Sequence, residues 1–476
     1  MSSSFSPSHI LVFPYPAQGH MLPLLDLTHQ LSLRGLTITI LVTPKNHPTL
    51  SPLLSSNPSI QTLVLPFPPH PQLPHGVENV KDVGNAGNLP IMAALTNLHD
   101  PLLHWFTSHP SPPIAIISDF FLGWTLRLAN QLNIPRIAFF SSGAFLASVL
   151  YNLWPATNAQ ALRSLPALDF PDLPGSPSFK QDHLPSVWRF YNESNPETHF
   201  IKDGMLANIA SWGCVFNSFH ELEGHYLDYL RKNSRVYGVG PLSLVGITSN
   251  GVGRGNPDSH SGNDDHVKTW LDGCPEGSVL YVCFGSQKLL NKQQVEALAS
   301  GLEKSKTRFI WVVKTGAEVG FIPDGFEERV TGTGTGRGVI LKGWAPQLMI
   351  LSHKAVGGFL SHCGWNSVLE AIVGGVMILG WPMEADQFVN AKLLVEDMGV
   401  AVWVCEGTNS VPDPDHLARV FDESMLGVGD SATKLRAKEL RDKAFEAVSG
   451  CGSSSTDLDA LVKDLGQLSS APTVRE

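Results

Sequence analysis

The chain has 476 residues, 43% of them hydrophobic, and a formal net charge of −10. That length carries two domains with sizeable cores, and the acidic balance excludes broad binding to nucleic acid or anionic membrane, which needs a basic surface. A single phosphate-bearing ligand is not excluded, because backbone N–H groups can hold one locally.

The first residues, "MSSSFSPSHILVFPYP", carry no basic cluster, and prolines soon break the apolar run, so they read as a strand and not a secretory leader. No apolar segment is long enough to span a bilayer, and a cytoplasmic location follows as the default. Six cysteines (Cys214, Cys274, Cys283, Cys363, Cys405 and Cys451) form no C-x-x-C pair. Reduced thiols are expected, not disulfides or a zinc site.

Apolar runs alternate with helical patterns along the whole chain. In the first half, strands are predicted from Ile10, Leu36, Ile60, Ile114, Arg136 and Cys214. In the second, they start at Ser278, Arg308, Gly338, Val356, Val376 and Val400. Continuous apolar strands separated by helices signal parallel sheets covered on both faces. Between the halves, Ser249 to Asp265 is polar and rich in Gly and Asn, the composition of a linker. The fold class is therefore α/β, with two doubly wound domains in tandem. Residues 1–248 form the first domain, 249–265 the linker, 266–455 the second domain, and 456–476 a tail that returns to the first.

Two patterns mislead. Gly332 to Gly338 is glycine-rich but precedes a strand, where a phosphate loop would follow one. Asp413-Pro-Asp415 imitates a metal-binding pair, yet it opens a helix and reads as an N-cap.

"HCGWNS", His362 to Ser367, lies where a strand runs into a helix. A helix N-terminus attracts anions, and Gly364 allows close backbone approach while His362, Asn366 and Ser367 offer donors. Ser367-x-x-Glu370 is equally a capping box that merely finishes the helix, and the pattern alone leaves both readings open.

The flanks extend the pattern. Residues Trp344 to Gln387 read "WAPQLMILSHKAVGGFLSHCGWNSVLEAIVGGVMILGWPMEADQ", a stretch that closely resembles the signature box of plant family 1 glycosyltransferases. "PAQGHMLPLLDL", "NSFHELE" and "VCFGS" resemble the same family. The resemblance implies a GT-B fold, two Rossmann-like domains facing across a cleft. The first would bind an acceptor and the second a UDP-sugar. It implies that Trp344 stacks on uracil, that the Ala345 backbone pairs with the uracil edge, and that Gln347 lies beside the nucleoside. Glu370 would take the ribose hydroxyls. Ser286, His362, Asn366 and Ser367 would hold the diphosphate, with Trp365 in the same corner. Asp386 and Gln387 would reach the sugar, and Ser141 would touch it from the first domain. Glu384 departs from the family pattern, which has an aromatic or small residue there.

Transfer to a hydroxyl needs a base. His20 follows the first strand and opens a helix, where the partial positive charge disfavours imidazolium. Asp119 ends another strand at the same sheet edge and could orient the ring, although it could equally cap the helix after it. The resemblance makes His20 and Asp119 the catalytic dyad. It also implies inverting transfer without a metal or other cofactor, UDP-glucose as donor, and a small hydrophobic hydroxylated acceptor, a phenolic or flavonoid. Terpenoid or hormone acceptors and UDP-xylose are the alternatives, and a monomer is expected. Outside this reading stand a two-lobed binding protein, which would need no base, and a nucleotide-sugar epimerase, which would need no acceptor pocket. Trp105, Phe121, Trp124, Trp188 and Phe200 supply aromatic surface for such a pocket.

Overall fold

The twelve apolar runs fold as twelve parallel strands in a computed structural model, which describes residues 8–155, 159–195, 198–247, 263–285, 288–314, 321–332, 334, 336–427 and 432–470. Packing divides the chain into two units. One comprises Met1–Gln181, Val187–Asn250 and Glu446–Glu476; the other comprises Asp182–Ser186 and Gly251–Phe445. Most of the linker expected at 249–265 lies outside the described residues, and a helix begins at Asn263.

In the first unit the strands are β1 (His9–Phe13), β2 (Thr37–Val42), β3 (Gln61–Val64), β4 (Ala115–Asp119), β5 (Arg136–Phe140), β8 (Gly213–Phe216) and β9 (Arg235–Gly238). They form one parallel sheet in the order β3-β2-β1-β4-β5-β8-β9, with a small antiparallel pair, β6 (Ala167–Asp169) and β7 (Ser178–Lys180), outside it. Three helices matter for the site: α1 (Gln18–Leu33), α2 (Ala144–Leu153) and α3 (His220–Arg231). Ile10, Val12, Ile38, Ile40 and Ile117 are almost wholly buried, as expected of strands covered on both faces.

The second unit repeats the plan with β10 (Val279–Cys283), β11 (Arg308–Val313), β12 (Gly338–Lys342), β13 (Val356–Ser361), β14 (Met377–Gly380) and β15 (Ala401–Trp403). Their order is β12-β11-β10-β13-β14-β15, again parallel. Its relevant helices are α4 (Gln347–Leu351), α5 (Trp365–Gly374), α6 (Gln387–Lys392) and α7 (Pro414–Leu426). Asp413 caps α7, its side chain accepting from the His416 N–H at 2.8 Å, so the Asp-Pro-Asp pattern does serve as a cap.

A last helix, α8 (Ser453–Ser470), packs in the first unit. Leu458, Leu461 and Leu465 share one helical face and join the core around β1 and α1. Asp457 Oδ2 accepts from the Gly238 N–H at 2.7 Å and from Arg231 at 2.6 Å, which ties the helix to the end of β9.

Both sheets reverse direction of winding beside one strand, β1 in the first and β10 in the second. In doubly wound sheets, ligands bind at the carboxyl ends of the strands at this switch point.

Candidate active site

His20 lies in the first turn of α1, just after β1, and Asp119 closes the neighbouring β4. The topology alone therefore brings two residues separated by 99 positions to one edge. His20 Nδ1 is 2.9 Å from Asp119 Oδ2, and the aspartate is fully buried while the imidazole is 19% exposed. A buried carboxylate accepts the Nδ1–H, which leaves the Nε2 lone pair free to take a proton. Asp119 also caps the turn after β4, Oδ1 accepting from the Phe121 N–H at 2.9 Å. One carboxylate oxygen thus meets the histidine and the other the backbone turn. Ser141 Oγ stands 3.0 Å from the same His20 Nδ1. The ring stacks on Phe120 and packs against Phe121 (centroids 4.7 Å) and the edge of Tyr15 (5.3 Å). Of the aromatic residues named for an acceptor pocket, Phe121 is the one beside this histidine, whereas Trp188 is buried core.

Two residues that sequence reasoning missed hold this corner. Arg136 is fully buried and donates to the Asp119 carbonyl (3.2 Å), Ser118, Thr125, Asn208 and Ser211. Burial pulls its pKa down to about 10, so the guanidinium remains charged beside the aspartate. Glu223 interrupts α3 with a non-helical backbone (φ −132, ψ 25), and its carboxylate reaches the start of α2. It accepts from the Ala144 and Phe145 N–H groups at 2.8 Å each and from Ser218 at 2.6 Å. Gly143 gives α2 no side-chain cap, so Glu223 satisfies those amides from another helix and fixes the turn that carries Ser141. Burial holds its carboxyl above the usual range, against the pull of those three donors.

The second unit places His362 directly after β13. Cys363 adopts a left-handed backbone (φ 62), Gly364 is the N-cap, and α5 starts at Trp365. The capping-box reading fails here. Ser367 is the third helical residue and cannot be the N-cap, and Gly364 offers no side-chain cap. The first turn of α5 thus takes no side-chain cap from its own N-cap residue, and a helix N-terminus attracts anions. Two glycines frame the ring: a Cβ on Gly364 would lie 2.5 Å from His362 Nε2, and one on Gly285 (φ 72) would lie 2.7 Å from its Cε1. Desolvation, then Lys314 and Lys288, pull the His362 pKa down to about 4. Its Nδ1 is buried without a hydrogen-bond partner. Lys314 at the end of β11 is itself pulled down to about 8 by burial. Ser286 lies outside the described residues.

Around this corner, Trp344 is half-buried, which sets aside a core role for its indole. Gln347 Nε2 donates to Glu370 Oε2 at 2.6 Å and to Ser367 Oγ at 3.1 Å, while Tyr281 donates to its Oε1 at 3.3 Å. Gln347 thus orients Glu370. The Trp365 indole is buried, and the residue opens α5 beside the corner. Asp386 Oδ2 accepts from Asn390 Nδ2 (3.0 Å), which also donates to the Cys363 carbonyl (2.9 Å). Asn390, also missed from sequence, links the start of α6 to the histidine corner. Gln387 Oε1 accepts from the Met383 and Glu384 N–H groups at 2.9 and 3.0 Å. That leaves the Nε2 as the group by which this side chain can address a ligand. Asn366 and Ser367 occupy the first turn of α5, as a phosphate cradle requires. Among the described residues, no group of three or more His, Cys, Asp or Glu could hold a metal ion, and no helix is long and apolar enough to cross a membrane.

The chain is similar to known proteins. A family model described as UDP-glucoronosyl and UDP-glucosyl transferase matches residues 258–414. The chain is 55% identical to UDP-glycosyltransferase 89A2 of Arabidopsis thaliana, over 97% of each chain. It is 49% identical to the flavonol 3-O-glucosyltransferase UGT89B1 of the same plant, again over 97% of each. Among solved structures, Arabidopsis thaliana UGT89C1 complexed with UDP-L-rhamnose matches with a TM-score of 0.79 and 39% identity, covering 97% of this chain and all of that one.

Proposed function

The chain belongs to the UDP-glycosyltransferase family of GT-B enzymes, and we propose that it transfers glucose from UDP-glucose to a hydroxyl of a flavonoid or related phenolic. The observation that carries the mechanism is the 2.9 Å contact between His20 Nδ1 and the buried Asp119 carboxylate. In the proposed step, His20 Nε2 takes the acceptor proton as the acceptor oxygen forms its bond to the anomeric carbon. The bond from that carbon to the diphosphate oxygen breaks, and UDP leaves with the electron pair. Asp119 stabilises the imidazolium that results. Attack from the face opposite UDP inverts the α-linked donor to a β-glucoside.

The second unit supplies the leaving-group side. Trp344 takes the uracil, the Ala345 backbone its edge, and Glu370, oriented by Gln347, the ribose. The first amides of α5, with His362, Asn366 and Ser367, receive the diphosphate and meet the charge that develops on it. In this reading a metal ion has no task. Asp386 and the Gln387 Nε2 address the sugar hydroxyls. The 49% identity to a flavonol 3-O-glucosyltransferase supports the acceptor class, and six free cysteines accord with a cytosolic setting.

The test is a panel of flavonols, simple phenols and terpenoid alcohols with UDP-glucose, UDP-galactose, UDP-xylose and UDP-rhamnose, read by mass spectrometry. A β-glucoside of a flavonol formed fastest from UDP-glucose is the expected product. Exclusive use of another donor, or of terpenoid alcohols, would overturn that part of the reading.

A further inference from the structure

The residues assigned to the sugar, Asp386 and Gln387, follow a loop that leaves β14 and contains Ala385 in a left-handed conformation (φ 56). A residue with a Cβ rarely holds that conformation unless its surroundings impose it. The surroundings here are unusual. Five residues from far upstream, Asp182–Ser186, belong to the second unit although the chain on either side of them belongs to the first. Ser186 Oγ accepts from the Ala385 N–H at 2.7 Å, across 199 residues of sequence. His183 lies flat on Phe388, next to Gln387, with ring centroids 4.2 Å apart and planes 11° apart. Its Nε2 is 3.6 Å from Glu406.

The rest of the loop is held from its other flank. The Gly407 N–H donates to the Pro382 carbonyl at 2.9 Å, and Thr408 Oγ1 donates to the Met383 carbonyl at 2.6 Å. The Met383 and Glu384 N–H groups are bound by Gln387 itself. The Ala385 N–H, which Ser186 binds, belongs to the residue in the strained conformation.

We propose that Ser186 is a positioning residue for donor-sugar selectivity, acting as a latch that keeps Ala385 left-handed and so aims Asp386 and Gln387. The proposal rests on the assignment of those two residues to the sugar. Without the hydroxyl, Ala385 relaxes toward ordinary negative φ and turns both side chains away from their aim. Trp344, Glu370 and His362 stand on other elements, so the nucleotide end of the site keeps its geometry. The latch therefore governs which sugar is used and not how tightly UDP is held.

Three variants test it: Ser186→Ala, Ser186→Thr, and the double variant Ser186→Ala with Ala385→Gly. UDP affinity is measured by calorimetry, and kcat/KM for UDP-glucose, UDP-galactose and UDP-xylose is measured with one fixed acceptor. Ser186→Ala should keep UDP affinity within about twofold and lower the UDP-glucose to UDP-galactose ratio about tenfold, the scale of one lost hydrogen bond. Ser186→Thr keeps a hydroxyl and should keep the ratio. Glycine populates positive φ without the latch, so the double variant should recover much of the selectivity. A wild-type donor ratio in Ser186→Ala would overturn the proposal. So would a loss of UDP affinity and melting temperature with the ratio intact, because that marks a merely structural contact. A wild-type protein that binds no UDP would instead remove the functional reading beneath it.

Discussion

Each unit puts a histidine where a parallel strand at the switch point runs into a helix, yet the company the two rings keep is opposite. His20 faces a buried carboxylate at 2.9 Å and is wrapped by Phe120, Phe121 and Tyr15. His362 has no such partner on Nδ1, and burial, followed by Lys314 and Lys288, presses its pKa down to about 4. His20 is the third residue of its helix, whereas His362 stands two residues before the N-cap of its own, and the charges around the two rings differ as well. A carboxylate behind a ring suits it to take and release a proton, whereas cations around a ring suit it to remain neutral and donate to an anion. A junction of strand and helix thus sets one ring against a carboxylate and the other among cations.

The comparison breaks most visibly at His20. His20→Ala should lower kcat about 10²- to 10⁴-fold with UDP affinity unchanged by calorimetry. Retention of most activity on a simple alcohol acceptor would show that the carboxylate-backed ring is not the base. His362→Ala should do the reverse, weakening UDP binding by about 1.5–3 kcal/mol, the value of a hydrogen bond to a charged group. A lowered melting temperature of the unliganded protein with unchanged UDP affinity would make that ring structural.

A finer difference appears in the pH dependence of stability. The folded pKa of His362, about 4, is below its ordinary value of 6.5, so the unfolded chain binds the proton first. Stability from this group is complete above about pH 6.5 and is lost as pH falls toward 4. His362→Gln should flatten that limb in melting curves taken between pH 7.5 and 4.5. The smallest expected effect is none: a chelator such as EDTA should leave the transfer rate unchanged, since the proposed mechanism meets the diphosphate charge with α5 and its neighbours. A strong loss that added divalent cation restores would remove the contrast between the corners, because a metal would then do the work given to His362.

The strands were legible because each is a continuous apolar run, and the twelve expected ones are all present. β9 was missed: "RVYG" is four residues long, opens on a charge and shows no period. The small pair β6 and β7, three residues each, left no signal at all. His20, Asp119 and His362 could be found because strand ends and helix starts mark themselves in sequence. Glu223, Asn390 and Ser186 could not be assigned their partners. Glu223 reaches the start of α2 across 79 residues and Ser186 reaches Ala385 across 199, and no local pattern encodes such contacts. The two readings of Ser367 stayed open for a related reason, since a Ser-x-x-Glu spacing is identical whether it begins a helix or lies one turn inside it.

The placement of α8 has a consequence for how this protein comes off the ribosome. Leu458, Leu461 and Leu465 complete the core around β1 and α1, but they are translated only after the entire second unit. The first unit must therefore wait, with an apolar groove beside β9 and α1 uncovered, while roughly two hundred further residues are made. During that interval it is the unit exposed to chaperones and to aggregation, and Leu461→Ala should lower the yield of soluble protein more than its effect on the melted purified enzyme would suggest.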